Sequence, residues 1–565
     1  MVYYLNIVMD YAQLVEAYLA LEKTSKRLEK VSIISDLIKK CSKDDLSRII
    51  YLLQGKVFPH YDERKIGMSS RLLVKAISHS SGVSASDVER LWRDTGDLGN
   101  VAEQLLNKKK QLTLAYRKLD VAKVFDNIRK MSEMEGAGTV MRKIGLFAEL
   151  LSGAKPDEAR FIVRTILEEL RVGVAEGVLR DSIAQAYGFN AHDIEKAFDV
   201  LVDYGDVALR AREGKLKKLR LQVGKPLRVM LSIKVDNIEE AFKAVGKPAL
   251  IDQKLDGFRV CIHKKGKNVS LFTRRLEDVT QQFKEVLSII EKHVNAKSCI
   301  LDSEFVGYDP KTGKHLPFQH ISQRIKRKYN IESVAKKLPV EINVFDILHY
   351  NGRDLINEAQ EKRRNILEKI IREEDRKIVL TKKLITDDEK KAQKFFKDSL
   401  SNGNEGVMIK NLKGIYQPGR RVEGWVKLKD ILEPLDLVIV KAEWGEGKRA
   451  NVLSSFTLAC KDGDDYLEIG KVSTGVKEKH EGLTYSELTK TLKPYIISGK
   501  GKEVVVKPAI ILEVGYEEIQ RSPTYSSGFA LRFPRVNKLR FDKPVAEITS
   551  LGMINRIYSS QRHKK

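Results

Sequence analysis

The sequence predicts a multidomain chain: an all-α unit over residues 1–222, an α+β unit over 223–430 and a C-terminal β-barrel over 431–565. Three observations predict it. Apolar residues recur at three- and four-residue spacing through the first unit. The pattern turns to alternating strands around VGKPLRVMLSIKV (223–235), where Gly224 and Pro226 mark a linker. It turns again near DILEPLDLVIVKAEWGEG (430–447), after which short strands and turn signals dominate.

Each unit reads in order. The start, MVYYLNIVMDYAQLVEAYLALEKTSKRLEK, mixes acids with apolar residues and lacks a basic opening and a small-residue cleavage site, so it reads as an amphipathic helix and not a leader. DLIKKCSKDDLSRIIYLLQG, SASDVERLWRDTGDLGNVAEQLLNKK and DEARFIVRTILEELRVG continue the helical period, separated by Gly, Ser and Asp breaks. No repeat period is evident. In the middle unit NVSLFTRR, CILDSEFVGYD and EINVFDILHY read as strands and EAQEKRRNILEKIIREED as a helix. The last unit offers SSFTLACKD, DYLEIGKVS, EVVVKPAIILEVGYEEI and GFALRFPRVNKLRF as strands.

Composition narrows the function. Across 565 residues the net charge is +25, with 102 Lys and Arg. That balance points to a polyanionic partner, nucleic acid or an acidic membrane surface. No apolar run reaches the roughly 18 residues of a membrane span. Cys41, Cys261, Cys299 and Cys460 are scattered without a C-x-x-C pair, which argues against zinc or a disulfide framework and fits a reducing cytoplasm. Charged residues make up 32%, a composition shared by thermophilic proteins and by DNA-binding proteins.

The stretch IDQKLDGFRV (251–260) sets Lys254 at the end of an apolar strand with Asp256 and Gly257 behind it. A surface lysine beside a D-G hairpin is the plain alternative. Downstream come Arg259, then Arg274 and Arg275 in FTRRLEDVT, and Asp302 and Glu304 on one strand face in LDSEFVG. Phe345 lies in NVFDILHY, Glu405 and Lys410 in NEGVMIK, and Arg421, Lys427 and Lys429 in RRVEGWVKLK. Singly, each has an ordinary reading: Phe345 in a core, the acids and lysines on solvated faces. Together they describe attack of an amine on a nucleotide phosphorus. A lysine whose neutral form is favoured attacks. Cations grip phosphates, carboxylates from different strands hold Mg²⁺, and an aromatic ring carries the base.

The ordered set KLDG, SEFVG, VFDIL, EGVMIK and WVKLK resembles the covalent nucleotidyltransferases, the polynucleotide ligases and capping enzymes. It is most similar to archaeal ATP-dependent DNA ligases. The likeness extends through IKVDN, AEWGEGKRA and EIQRSPTYSSGFALRFPRVNKLRFDKP, and covers essentially the whole chain. It implies an N-terminal DNA-binding domain, a central adenylation domain and a C-terminal OB-fold. The implied activity is sealing of nicks in duplex DNA during replication, repair and recombination, by way of a lysine–AMP intermediate and an adenylated 5′-phosphate.

By that resemblance Lys254 is the nucleophile and Arg259 and Arg274 contact the sugar or phosphates. Glu304 contacts the ribose or the metal, and Glu405 helps hold Mg²⁺, with Mn²⁺ as an alternative. Phe345 stacks on adenine. Arg421, Lys427 and Lys429 contact phosphates and favour the neutral Lys254. Arg532 and Arg535 of RFPR orient pyrophosphate, and Arg540, Asp542 and Lys543 match a further R-x-D-K stretch. Many relatives carry Glu where this chain has Asp252, one methylene shorter, so the base contact is expected to be looser and GTP or ADP stay open beside ATP. In the helical unit Gly173 and Gly177 would bring backbone N–H groups to a DNA phosphate at a helix start, with close helix packing as the alternative. Gln111, Leu114 and Tyr116 in KKKQLTLAYRK loosely resemble a sliding-clamp docking peptide, against an ordinary surface loop. The family pattern suggests a monomer. The long helical unit disfavours an RNA ligase or capping enzyme, and the lack of clustered cysteines disfavours an NAD-dependent ligase. A non-enzymatic DNA-binding scaffold would be expected to have lost part of the set Lys254, Glu304, Glu405, Lys427 and Lys429.

Overall fold

The computed structural model describes residues 8–62, 64–108, 118–136, 138–216, 219–325, 330–430, 432–445, 449, 451–478 and 482–561. Among these, twelve helices from Tyr11–Glu22 to Tyr204–Arg212 precede the first strand. They enclose one contiguous apolar core running from Met9 to Leu216. The predicted helix over SASDVERLWRDTGDLGNVAEQLLNKK divides into Ala85–Thr95 and Leu98–Asn107, because Gly96 takes a left-handed φ of 66° and Asp97 caps the second helix. Gln111, Leu114 and Tyr116 lie outside the described residues.

The helices carry a repeat that the sequence pattern hides. Asp97 and Asp203 cap equivalent helices with nearly the same backbone, φ −147° and −146°, each accepting two backbone N–H bonds. Lys30 donates to the carbonyl of Val172 and Lys143 to that of Ile66, in both cases beside a glycine of positive φ, Gly173 and Gly67. The two halves pack crosswise: Leu98–Asn107 on Pro156–Ile166, and Tyr204–Arg212 on Lys43–Leu53. The likeness observed lies in these caps and turns.

The middle unit is two sheets. Its strands are β1 (Leu231–Val235), β2 (Ala249–Lys254), β3 (Phe258–Lys265), β4 (Asn268–Thr273), β5 (Ser298–Gly307), β6 (Val340–Tyr350), β7 (Arg353–Asp354), β8 (Ile378–Leu380), β9 (Lys383–Thr386), β10 (Gly406–Asn411) and β11 (Arg421–Lys429). One sheet has the order β1-β11-β10-β2-β9; the other has β4-β3-β5-β6-β7, with β8 beside β6. The period-2 alternation sorts each strand. Ile251, Val407, Ile409, Val426 and Leu428 pack outward with Ala241 and Phe242 of helix Ile238–Val245 and Ala392 of helix Glu389–Ser401. Phe258, Val260, Leu301 and Phe305 pack outward with Val286 and Ile290 of helix Lys284–His293 and Leu367 of helix Gln360–Ile370. The polar faces of the two sheets are left to meet each other.

The D-G turn is not a hairpin. β2 pairs with β10 and β9, whereas β3 pairs with β4 and β5, so Leu255–Gly257 carries the chain from one sheet to the other. A Cβ at Gly257 would stand 2.3 Å from the Phe305 carbonyl oxygen. The expected linker is also packed, not free. Leu221, Leu227 and Met230 are buried with Cys261, Phe272, Ile300, Leu348, Tyr416 and Trp425, and the Leu221 amide donates to Asp354. Apolar residues around Gly224 and Pro226 account for this.

The last unit holds β12 (Leu435–Trp444), β13 (Leu453–Asp462), β14 (Asp465–Val472), β15 (Ile496–Lys500), β16 (Glu503–Val506), β17 (Ile511–Gly515), β18 (Glu518–Arg521), β19 (Phe529–Arg532) and β20 (Arg535–Leu539). β12 is bent by bulges and shared lengthwise, its first half pairing with β17 and its second with β16. Helices Tyr485–Leu492 and Leu551–Ser560 cover the sheet.

Asp346, the register partner of Asp302, forms a fully buried ion pair at 2.8 Å with Arg363, which also reaches the carbonyls of Glu358 and Gly414. Removing one partner leaves the other charge unpaired. Arg363→Met is expected to cost about 3–5 kcal/mol in denaturant unfolding, and the double change with Asp346→Leu to recover much of that loss.

Candidate active site

The two polar faces, the helical unit and the C-terminal unit enclose one cleft of about 1510 Å³. Lys254 closes β2 at its floor. Cross-strand register places Lys254, Gly406 and Lys429 side by side, then Asp252, Met408 and Lys427, then Leu250, Lys410 and Trp425. Of these, Lys254, Lys429, Asp252, Met408, Lys427, Lys410 and Trp425 line the cleft, as the two-residue period requires. The Glu405 amide donates to the Lys254 carbonyl at 2.8 Å, which fixes Glu405 beside the lysine. Gly406 follows with φ 146°, and a Cβ there would meet the Leu428 carbonyl oxygen at 2.1 Å.

The centre is a charge chain. Glu405 lies 2.8 Å from the Nζ of Lys254 and 2.8 Å from that of Lys429, which continues to Glu517 of the C-terminal unit at 3.1 Å. Burial alone would push the Lys254 ammonium down, but Glu405, Glu304 and Asp256 outweigh it and hold its pKa above the ordinary lysine value. This corrects the expectation that the neighbouring cations favour a neutral lysine: the carboxylates around it dominate. Burial also raises Glu405, yet Lys254 and Lys429 bring it well below the usual carboxylate range. Glu304 goes the other way, pushed up to about 8 by burial despite Lys254 and Arg259. Lys427 is lowered by burial and by Lys429 and Lys254.

The second sheet supplies the opposite wall. Arg259 sits opposite Glu304 in register and grips Asp302 through two bonds of 2.8 and 2.6 Å, while Tyr416 donates to Asp302 at 2.7 Å. Asp302 is therefore the anchor of Arg259, and Glu304 is the carboxylate left facing the cleft. Arg274 and Arg421 line the cleft, and burial with Arg259 and Arg421 depresses Arg274. Phe345 lines the inner end, 6.2 Å from the Trp425 ring, with the Arg259 guanidinium 5.4 Å and the Lys410 ammonium 5.1 Å from its centroid. Asp252 is buried there and accepts from Lys410 at 2.5 Å, with Arg364 at 3.7 Å.

Arg532 enters the cleft, 5.9 Å over Phe318 and 3.4 Å from Glu518. Arg535 does not; it is exposed on β20 opposite Gly515. RFPR turns the corner between β19 and β20 through Phe533 at φ 51° and Pro534, so its two arginines diverge. That corrects the pairing of Arg532 with Arg535 at one site. Gly173 (φ 69°) and Gly177 meet cationic side chains: a Cβ would stand 2.5 Å from Lys30 Nζ and 3.3 Å from Arg27. Both cations lie at the start of helix Glu176–Tyr187. Arg540 and Lys543 pair with Asp436 within the C-terminal unit.

Sequence reading missed Trp425, Asp346 with Arg363, and Glu517. The alternation in WVKLK already put Trp425 on the face of Lys427 and Lys429, and was a usable signal. Glu517 carried none, because its role depends on how the third unit docks.

Three family models match along the chain. They are "DNA ligase N terminus" over residues 10–184, "ATP dependent DNA ligase domain" over 229–429 and "ATP dependent DNA ligase C terminal region" over 449–543. The chain belongs to the ATP-dependent DNA ligase family. The DNA ligase of Nanoarchaeum equitans is 49% identical over 562 residues, 98% of this chain and 99% of that one. The DNA ligase of Thermococcus onnurineus is 41% identical over 562 residues, 99% of each. The solved structure Pmar-Lig_PreS3 shares the fold with a TM-score of 0.55 at 16% identity, over 93% of this chain and 99% of that one. As a member of this ligase family the chain uses ATP and takes DNA as substrate. Among the described residues no helix is long and apolar enough to cross a membrane.

A carboxyl raised from 4.5 to about 8 favours the fold when protonated, so its contribution is complete below about pH 4.5 and is lost as pH rises through 8. Glu304→Gln removes that loss. The variant's melting temperature is expected to move above the parent's between pH 6 and 9, and not at pH 5, in parallel calorimetric scans.

Proposed function

We propose that the chain seals nicks in duplex DNA through a lysine–AMP intermediate on Lys254. The observation that carries this reading is the Lys254–Glu405–Lys429 chain at the floor of a cation-lined cleft. The deprotonated Nζ attacks the α-phosphorus of ATP, the bond to the β-phosphate oxygen breaks and pyrophosphate leaves. An oxygen of the 5′-phosphate at the nick then attacks the AMP phosphorus and the N–P bond breaks, regenerating the amine. The 3′-hydroxyl attacks the activated 5′-phosphate, loses its proton, and AMP departs. Phosphoryl transfer of this kind depends on in-line placement and charge neutralisation.

The residues divide the work. Phe345 and Trp425 flank the base. Asp252 Oδ1 and Trp425 Nε1 are buried beside them without a hydrogen-bond partner among the described residues, which suits a base offering a donor and an acceptor. Asp252 is engaged by Lys410, with Arg364 nearby, which supports a looser base contact and leaves GTP or ADP as alternative donors. Arg259, Arg274 and Arg421 hold ribose and phosphates, Lys427 and Lys429 the α-phosphate, and Arg532 the leaving pyrophosphate.

Among the described residues no group of three or more His, Cys, Asp or Glu side chains is arranged to hold a metal ion. Glu304 and Glu405 face each other across Lys254, a donor set that fits an ion completing its shell with water and phosphate oxygens. They would hold Mg²⁺ or Mn²⁺, which supplies charge neutralisation at the phosphates when bound. Carboxylates engaged in that way would leave Lys254 with fewer anionic partners beside Lys427 and Lys429, which would favour the neutral amine.

Boundaries at 222/223 and 430/431, an OB-fold for the last unit, a monomeric state, a cytoplasmic setting, a role in replication, repair and recombination, and docking of a sliding clamp through residues 111–116 all belong to this proposal. So does backbone contact with DNA near Gly173 and Gly177, where Arg27 and Lys30 support it; such binding falls steeply with salt.

Incubation with α-³²P-ATP and Mg²⁺ should leave an acid-labile label on the protein after a denaturing gel, and nicked DNA should remove it. Lys254→Ala should carry no label while its binding to a nicked duplex stays near the parent's. Label persisting on that variant would assign the nucleophile elsewhere. GTP and NAD lanes read the donor preference.

A further inference from the structure

The turn that carries Arg274 is built around a strained residue. Thr273–Asp278 folds back on itself: the Leu276 amide donates to the Thr273 carbonyl at 2.8 Å, the Thr273 amide to the Glu277 carbonyl at 2.9 Å, and the Thr273 hydroxyl to the Glu277 carboxylate at 3.0 Å. At its tip Leu276 takes φ 72°. A bulky residue in the left-handed region is a real outlier, held only where its surroundings over-determine it. Asn or Gly would serve this turn with less strain.

What holds Leu276 there is another domain. Its side chain is 5% exposed and belongs to the contiguous apolar core of the helical unit, which otherwise runs from Met9 to Leu216. Arg274 and Arg275 next to it line the cleft, as do Lys56, Phe58, His60, Arg64 and Ile66 of the helical unit. Ion pairs from Arg228 to Glu176 and from Arg420 to Glu195 tie the same two units together. The strain of one turn is thus offset by burial in a neighbouring domain, and that turn presents a nucleotide-gripping arginine.

We infer that Leu276 is a positioning residue, a knob by which the helical domain holds Arg274 over the nucleotide, so that the helical domain supports self-adenylation before any DNA is bound. Leu276 touches no reacting atom; it acts through Arg274. Because the inference rests on the adenylation reading above, its test separates the two.

Self-adenylation of the full chain is followed by quenched single turnovers over a range of ATP concentrations, for the parent, Leu276→Gly, Leu276→Asn, Leu276→Met, Arg274→Ala and the double variant Leu276→Gly with Arg274→Ala. Glycine and asparagine relax the backbone and remove the apolar knob; methionine keeps it. Half-saturating ATP should rise about five- to tenfold for the Gly and Asn variants, of the order expected for one weakened phosphate contact, and return to near the parent's with Met. The double variant should be no worse than Arg274→Ala alone, since coupled residues do not add. For the Leu276 variants, sealing of a duplex that already carries the adenylated 5′-phosphate should be unchanged. If the Gly and Asn variants label with the parent's ATP dependence, or if the Leu276 and Arg274 effects multiply, the inference falls. A parent that takes no label overturns the adenylation reading instead. Should one knob-less variant not fold, the other carries the comparison.

Discussion

Everything in the cleft depends on keeping Lys254, Glu405 and Lys429 close together and away from bulk water. Desolvating such charges costs several kcal/mol each unless geometry returns it. The backbone does the arranging. The Glu405 amide is bonded to the Lys254 carbonyl, and Gly406 lets its strand pass where a side chain would strike Leu428. Gly257 does the same where the chain leaves the lysine for the second sheet. Two glycines and one backbone bond therefore set a carboxylate between two ammonium groups. The same electrostatics leaves Glu304, which has no bonded cation among the described residues, raised to about 8.

That arrangement inverts the usual logic of stacked sheets. Each sheet sends its apolar face outward to helices and turns its polar face toward the other. Polar faces can meet only if the charges between them are paired. Asp252 with Lys410 and Arg259 with Asp302 do this on the two walls, and Asp346 with Arg363 does it beside Asp302. Such pairs add little net stability compared with apolar packing. Their effect is to fix where the remaining groups point, which phosphoryl transfer needs.

The residues that alternation governs were legible in the sequence. Period alone places Asp302 and Glu304 on one strand face, and the three-part order follows from changes in period. What could not be read were facts that depend on partners distant in sequence. K-x-D-G has the letters of a hairpin, and only the pairing of β2 and β3 with other strands shows a crossover. Arg535 was grouped with Arg532 because a motif gives spacing and not direction. The internal repeat of the helical unit rests on caps and positive-φ turns. Lys254 was expected to be neutral because its cations were visible in the motif, whereas the position of Glu405 beside it is set by a backbone bond.

The two flanking units hold the central one with different strength. The C-terminal unit meets the site through Lys429 and Glu517 and through Arg532 over Phe318. Glu517 is 40% exposed, and exposed pairs of this kind are worth at most about 1 kcal/mol. The helical unit buries Leu276 in its core and adds the pairs of Arg228 and Arg420. Among the described residues, an ion pair and a cation–π contact hold the C-terminal unit to the site less firmly than the buried apolar knob holds the helical unit. The contacts therefore favour motion of the C-terminal unit against a central and helical pair that stays together, which is the order in which a site must open if it binds ATP under one cover and DNA under another.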